Sequence, residues 1–340
     1  MNTRLKVLNV GVVGYGYWGP NIVRNFQAID GARVVAVCDK RPHVLKKIRE
    51  AYPGVMECGD YRTITRSPDI DAVAVITPVS THYRIAKDAL EHGKHVFVEK
   101  PFTASIKEAE ELVRLAARKK LKIMVDHTYL FTGAVKKMKD MVDKGELGDL
   151  LYYDSTRVNL GLFQHDVNVV WDLIPHDLAV MDHIIKRKPV AISAGGIDHF
   201  GRNQENIAYV TIHFDNNMIA HFNVNWLSPV KVRLTLIGGS KKMLVWNDLE
   251  ADEKIKIYDR GVTMRETEGI YKLLVDYRSG DMWAPKIDHT EALRKELEYF
   301  VSYVKGGFKA VNDGEAGLRM VRMLEATNKS LRQKGKLVKL

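Results

Sequence analysis

The run Gly14-Tyr15-Gly16-Tyr17-Trp18-Gly19 stands between a Val-rich stretch at 5–13 and an amphipathic stretch at 20–28. That placement constrains the fold more than any other feature. Glycines at this spacing, directly after a strand and opening a helix, make a turn whose backbone can approach a diphosphate. Gly14 permits the tight turn, Gly16 the approach of a phosphate, and Gly19 the close packing of helix on strand. The helix N-terminus adds free N–H groups and positive potential. Tyr17 and Trp18 lie within the same phosphate-binding turn. Asp39 comes 20 residues after Gly19, at the end of a second expected strand. A carboxylate there accepts the hydroxyls of an adenosine ribose and repels a 2′-phosphate, so NAD is expected. Lys40 and Arg41 follow at once, and their charge keeps NADP open as the alternative.

The surrounding residues repeat the same alternation. Stretches 5–13, 33–38, 71–77, 95–99 and 122–126 are short, apolar and rich in Val and Ile, the texture of buried parallel strands. Helical periodicity occupies 20–28, 42–51, 81–92 and 105–119. Strand and helix in alternation predict a doubly wound α/β domain over 1–127. Beyond residue 127 the strands lengthen and alternate. Met218, Ala220, Phe222, Val224 and Trp226 form one face, and a turn at 215–217 joins this strand to 209–214. A second pair, 231–237 and 242–246, flanks Gly238-Gly239-Ser240. The expectation for 128–340 is an α+β domain on an open antiparallel sheet, with the last helix free to return to the first domain.

Composition excludes several classes. The chain has 340 residues, 46% hydrophobic and 28% charged, enough for a large core without staples. Its two cysteines, Cys38 and Cys58, argue against a disulfide scaffold and for a reducing compartment. The apolar stretch near the start is broken by glycines and followed by no cleavage pattern, so neither a signal peptide nor a membrane span is expected, and the location expected is the cytoplasm. The formal charge is +10, and half of the excess lies in Lys329, Arg332, Lys334, Lys336 and Lys339. No basic stripe interleaved with aromatics accompanies it, so a solvated terminal helix end is expected rather than a nucleic-acid surface.

Ligands in open α/β sheets bind beyond the carboxyl ends of the strands. Thr77, Pro78 and His82 stand at or beyond the end of the stretch 71–77, Glu99, Lys100 and Pro101 at that of 95–99, and His127 and Tyr129 beyond 122–126. All are expected to rim one crevice. The glycine turn, Glu99-Lys100-Pro101 and a following α+β domain together resemble the Gfo/Idh/MocA oxidoreductase family. The resemblance implies NAD(P)-dependent dehydrogenation of a CH–OH group, with Glu99 and Lys100 beside the cofactor and Lys100 also at the substrate. It further implies an aspartate and a histidine four residues apart on a helix of the second domain, which Asp172 and His176 match.

Asp172 and His176 share one helical face, while Val170, Ile174, Leu178, Met181 and Ile185 supply an apolar one. Pro175 is tolerable only in a first turn, so the helix is expected to start close before it. The motif from Trp171 to Asp177 is similar to that of family members acting on nucleotide sugars, the 3-dehydrogenases of UDP-N-acetylglucosamine and its uronate. On this reading Lys100, Asp172 and His176 are catalytic, and Trp171, Arg157, Asn159, His127 and Tyr129 contact substrate, with Arg157 and Asn159 holding phosphate or carboxylate. A free sugar or cyclitol as substrate, or a cofactor-binding sensor without turnover, are the competing readings. No metal is expected, since no clustered Cys/His set or H-E-x-x-H occurs. The mixed polar face carrying Tyr209, Thr211, His213, His221, Asn223 and Asn225 predicts a homodimer or homotetramer through the sheet.

Overall fold

The computed structural model describes residues 7–161, 167–265 and 274–340; Leu5 and Lys6 of the first expected strand lie outside them. Leu8–Val13 (β1) leads through Gly19–Ala28 (α1), Ala32–Cys38 (β2), Pro42–Ala51 (α2), Met56–Cys58 (β3) and Arg62–Thr65 (α3). Ala72–Val75 (β4), Val79–Glu91 (α4), His95–Val98 (β5), Ile106–Lys119 (α5) and Ile123–Val125 (β6) complete the pattern, followed by a 3-10 turn at Thr128–Phe131. The six strands form one parallel sheet in the order β3-β2-β1-β4-β5-β6. β4 to β6 are buried almost throughout, as strands covered on both faces must be. β3 is not foreseen from sequence, because Met56-Glu57-Cys58 lacks a β-branched run. The strand order reverses between β1 and β4, which opens a crevice at their carboxyl ends.

The chain continues through Gly133–Asp143 (α6), Leu150–Leu160 (β7), Val169–Ile184 (α7), Pro189–Ile197 (β8), Ile207–Phe214 (β9) and Ile219–Asn225 (β10). Then follow Leu227–Gly239 (β11), Met243–Asn247 (β12), Ile255–Tyr258 (β13), Gly261–Arg265 (β14), Leu274–Arg278 (β15) and Met282–Trp283 (β16). Ala292–Lys305 (α8), Gly314–Arg332 (α9) and Val338–Lys339 (β17) end it. Nine of these strands make a sheet in the order β16-β13-β12-β11-β7-β10-β9-β8-β17. The hairpin β9–β10 has the expected register, with Ala220, Phe222 and Val224 all buried. The sheet is mixed rather than purely antiparallel: β7 runs parallel to β10. The basic side chains of the tail are exposed, with Lys329 and Arg332 in the last turn of α9 as a solvated helix end requires, but the tail then adds a short strand, Val338 and Lys339 pairing with Ile192 and Ala191 of β8.

The chain forms two compact units, residues Met1–Phe131 with Thr290–Glu325 and Thr132–His289 with Ala326–Leu340. The return of α8 to the first unit differs from a single break near residue 127. Its cause is aromatic: Phe300 of α8 packs against Phe26 and Phe97 with ring centroids 6.3 and 5.6 Å away. Asn312 closes the outer edge of β6, accepting from the Val125 amide at 2.9 Å and donating its side-chain amide to the Val125 carbonyl at 2.7 Å. No helix among the described residues is long and apolar enough to cross a membrane.

Candidate active site

Gly14 follows β1 with φ +100, and a Cβ there would lie 2.2 Å from the Ile76 carbonyl oxygen. Only glycine fits on both counts. Its N–H donates to the Cys38 carbonyl at 2.8 Å, tying the turn to the end of β2. Nothing lies within 4 Å of the Cβ position of Gly16, which leaves its backbone open to a ligand. At Gly19 the close neighbour is the Gly14 carbonyl oxygen, 2.6 Å from a Cβ, so this glycine packs the helix on the turn itself rather than on the strand. α1 has no side-chain cap and no acid in its first turn. Its terminal N–H groups and positive potential are thus left for an anion. Tyr17 and Trp18 stack edge to face at 5.6 Å and are exposed.

Asp39 is buried, and both of its carboxylate oxygens accept from protein donors. The Tyr15 amide donates to Oδ2 at 3.0 Å, the Arg41 amide to Oδ1 at 3.0 Å, and the Arg41 guanidinium to both oxygens at 2.8 Å. Burial alone would raise this carboxyl, but the Arg41 and Tyr15 hydrogen bonds outweigh it and draw it down to about 2. A cleft of about 480 Å³ opens here, lined by Gly14, Gly16, Asp39, Lys40, Thr77 and Pro78 among others. These residues fit a dinucleotide: an open glycine turn, an uncapped helix end and a carboxylate at the end of β2. Sequence reasoning missed Tyr61 and Arg84 in the lining. The Arg84 guanidinium lies 5.6 Å from the Tyr61 ring centroid, a pairing that a separation of 23 residues conceals.

His82 does not face this cleft as a ligand. Its two ring nitrogens meet the carbonyls of Pro101 at 2.9 Å and Thr77 at 2.7 Å, and the side chain is buried. It ties the loop after β4 to the loop after β5. Glu99 and Lys100 are half-buried at the end of β5, and the Glu99 amide donates to the Val75 carbonyl at 3.0 Å. His127 is 2% exposed, and neither ring nitrogen meets a hydrogen-bond partner among the described residues. Burial first, and then the charge of Lys100, push its imidazole down to about 3. Its backbone is held from below: Glu296 of α8 accepts from the His127 amide at 2.9 Å and from Asn312 at 3.0 Å. Burial, and then the neighbouring Asp126, hold the Glu296 carboxyl well above the usual range. Tyr129 is half-buried in the 3-10 turn.

In the second unit the Asn168 side chain caps α7, accepting from the Trp171 amide at 3.2 Å. The helix therefore starts at Val169, and Pro175 lies inside it rather than in the first turn. Pro175 lacks the N–H that would bond the Trp171 carbonyl. Asp172 and His176 are half-buried one turn apart. The Trp226 indole N–H donates to Asp172 Oδ2 at 3.0 Å. Gly161 makes room for that indole, since a Cβ there would lie 2.6 Å from Trp226 Cδ1. Trp226 is legible in sequence only as the end of an apolar strand face. Trp171 is buried and its indole N–H lacks a partner among the described residues, whereas Asn159 is half-buried on β7.

Arg157 overturns its expected role. It is buried and grips Asp177 with both ends of its guanidinium, Nε to Oδ2 at 2.6 Å and one terminal nitrogen to Oδ1 at 2.9 Å. It fastens α7 to β7 and is not placed to hold a substrate phosphate. No group of three or more His, Cys, Asp or Glu side chains among the described residues is arranged to hold a metal.

Residues 8–127 match the family model for the oxidoreductase family with an NAD-binding Rossmann fold, and residues 135–245 match that for the GFO/IDH/MocA C-terminal domain. The chain is similar to the 2,7-anhydro-N-acetylneuraminate hydratase of Mediterraneibacter gnavus, 25% identical with 96% of this chain and 95% of that protein covered. It is similar to the UDP-N-acetylglucosamine 3-dehydrogenase of Acidithiobacillus ferrooxidans, 24% identical over 92% of this chain and 94% of that one. A solved structure of that enzyme covers 96% of this chain and 98% of its own with a TM-score of 0.80 at 20% identity. The scyllo-inositol 2-dehydrogenase (NAD(+)) of Bacillus subtilis is 24% identical over 96% of this chain and 93% of its own.

Proposed function

The chain belongs to the GFO/IDH/MocA oxidoreductase family of NAD-binding dehydrogenases, and on that footing we propose that it moves hydride between NAD and a secondary hydroxyl of a sugar carried on a nucleotide. NAD, when bound, supplies the hydride chemistry at its nicotinamide ring. The turn from Gly14 to Gly19 and the uncapped end of α1 hold the diphosphate. Asp39 holds the adenosine ribose, with Lys40, Thr77 and Pro78 around it.

His176 takes the hydroxyl proton on its imidazole in the oxidising direction and returns it in the other. Lys100 holds the substrate oxygen with its ammonium. Asp172 orients His176. The observation that carries this reading is the seating of Asp172 by the Trp226 indole at 3.0 Å, one helical turn before His176. A carboxylate fixed in this way can align an imidazole, and the Arg157–Asp177 pair next to His176 fastens the helix to its sheet. The nucleotide sugar is favoured by the likeness to the UDP-N-acetylglucosamine 3-dehydrogenase over nearly the whole of both chains. Cys38 and Cys58, both free thiols, favour a cytoplasmic location. The open sheet face, on which Tyr209 stacks on His221 at 6.2 Å, favours a homo-oligomer joined there.

The test is steady-state kinetics with NAD and UDP-N-acetylglucosamine, its uronate, and a free cyclitol. Turnover of a nucleotide sugar is expected. His176→Ala should lose about 10²–10⁴-fold in kcat, with NADH binding and melting temperature preserved. Turnover confined to the free cyclitol overturns the substrate. NADH binding without turnover of any sugar makes the chain a sensor. Near-normal turnover by His176→Ala transfers the proton role to Lys100.

A further inference from the structure

The two cysteines of the chain meet at the wall of the NAD cleft. Cys38 ends β2 and Cys58 ends β3, and the parallel register sets them opposite each other. Register partners on adjacent strands lie about 4.8 Å apart, inside the Cα separation that a disulfide spans. Both thiols are free, and their side chains leave the same face of the sheet as register partners of adjacent parallel strands. Cys58 also donates to the Val37 carbonyl with its sulfur 3.9 Å away. Cys38 is buried and lines the cleft, whereas Cys58 is half-buried.

We propose that Cys38 and Cys58 are a peroxide-sensitive dithiol whose oxidation to a disulfide weakens NAD binding.

The backbone around the pair supports the coupling. The Gly14 amide donates to the Cys38 carbonyl at 2.8 Å, and the Asp39 amide donates to the Cys58 carbonyl at 3.1 Å. The Asp39 carboxylate in turn accepts from the Tyr15 amide at 3.0 Å. The phosphate-binding turn and the ribose carboxylate thus hang on the two residues that bear sulfur. A disulfide holds its Cβ atoms about 3.8 Å apart, closer than the roughly 4.8 Å between neighbouring strands, so a bond between those sulfurs pulls the ends of β2 and β3 together and displaces both groups.

The chemistry divides between the sulfurs by environment. The neighbouring Cys38 thiol lowers the Cys58 thiol below its ordinary value. Its partner Cys58, then burial, holds the Cys38 proton on. Cys58, the more accessible, attacks as thiolate; its sulfur takes one peroxide oxygen, the O–O bond breaks, and the other oxygen leaves as water after protonation. The Cys38 sulfur then attacks the Cys58 sulfenic sulfur; the S–S bond forms, the S–O bond breaks, and the Cys38 proton leaves with the hydroxide as water. Two thiols and one hydrogen peroxide give one disulfide and two waters. A dithiol reductant restores both thiols.

The experiment titrates NADH by fluorescence into the reduced full chain, the same chain after hydrogen peroxide, and the oxidised chain after dithiothreitol. Intact mass follows the thiols in parallel. Peroxide should remove two hydrogens per chain. The NADH dissociation constant should rise by about tenfold or more, the loss expected when hydrogen bonds to a charged group are misplaced, and dithiothreitol should restore it. Cys58→Ser should lose the response to peroxide. Oxygen addition without a disulfide overturns the proposal. So does a disulfide that leaves NADH binding unchanged, or a response retained in Cys58→Ser.

Discussion

Replacing His127 by phenylalanine should make the protein more stable, and the gain should grow as the solution is acidified. The ring is buried with no partner for either nitrogen among the described residues, so the substitution sacrifices no observed hydrogen bond. Its imidazole falls from 6.5 to about 3 on folding, through burial and then the charge of Lys100. Between those two values the unfolded chain binds more protons than the folded one, so stability rises with pH across the window and falls as pH drops through it. Integrating the proton uptake of an unfolded imidazole gives a loss of about 0.2 kcal/mol at pH 7 and about 2 kcal/mol at pH 5. At pH 5 the folded value hardly enters, because a ring that titrates near 3 is still neutral. The stability gap between His127→Phe and the native protein should therefore widen by about 2 kcal/mol from pH 7 to pH 5. The backbone amide of residue 127 still donates to Glu296 in the variant, so the contribution of Glu296 cancels in the difference. Urea denaturation of both proteins at each pH measures the gap. A gap constant across that range would show that the folded ring takes up a proton, and the reasoning from burial would fail.

Other outcomes follow from single contacts. Gly14→Ala forces a side chain into a left-handed backbone against the Ile76 carbonyl, and should cost about 1–3 kcal/mol in thermal unfolding while weakening NADH binding. Asp39→Ser releases the Arg41 guanidinium, so paired fluorescence titrations should show NADPH gaining on NADH by roughly tenfold; tighter NADPH than NADH binding by the unaltered protein would oppose the role given to Asp39. Asp177→Ala removes the carboxylate that grips the buried Arg157 guanidinium and should cost about 3–5 kcal/mol in urea, much of it recovered by Arg157→Met in the same chain.

The glycine turn was legible because backbone geometry alone demands glycine at residue 14. The parallel sheet was legible because Val and Ile crowd into short runs wherever both faces are covered. Both are local signals. Arg157 misled for the opposite reason: nothing along the strand marks that its partner, Asp177, lies on the following helix. His82 is legible in sequence only as a residue following a strand end, and its engagement by two carbonyls depends on loops that come together only in the folded sheet. Asn168 moved the start of α7 back before Pro175, since a cap outweighs the reluctance of proline to sit inside a helix. The parallel pairing of β7 with β10 joins segments more than fifty residues apart, and alternation of side chains does not distinguish the direction of a neighbour.

The pairing of the last residues with β8 also bears on solubility. β8 has nine residues; on its outer rim β17 pairs with Ala191 and Ile192, the Leu340 amide donates to the Val190 carbonyl at 3.0 Å, and the Ala194 amide donates to Ser330 Oγ at 2.8 Å. A bare strand rim is a template on which another chain can extend the sheet. Val338 and Lys339 occupy part of that template, and lysine is the residue that most discourages a newcomer. Deleting residues 336–340 should leave the rim open, and light scattering after mild warming should then show particles growing where the full chain stays clear.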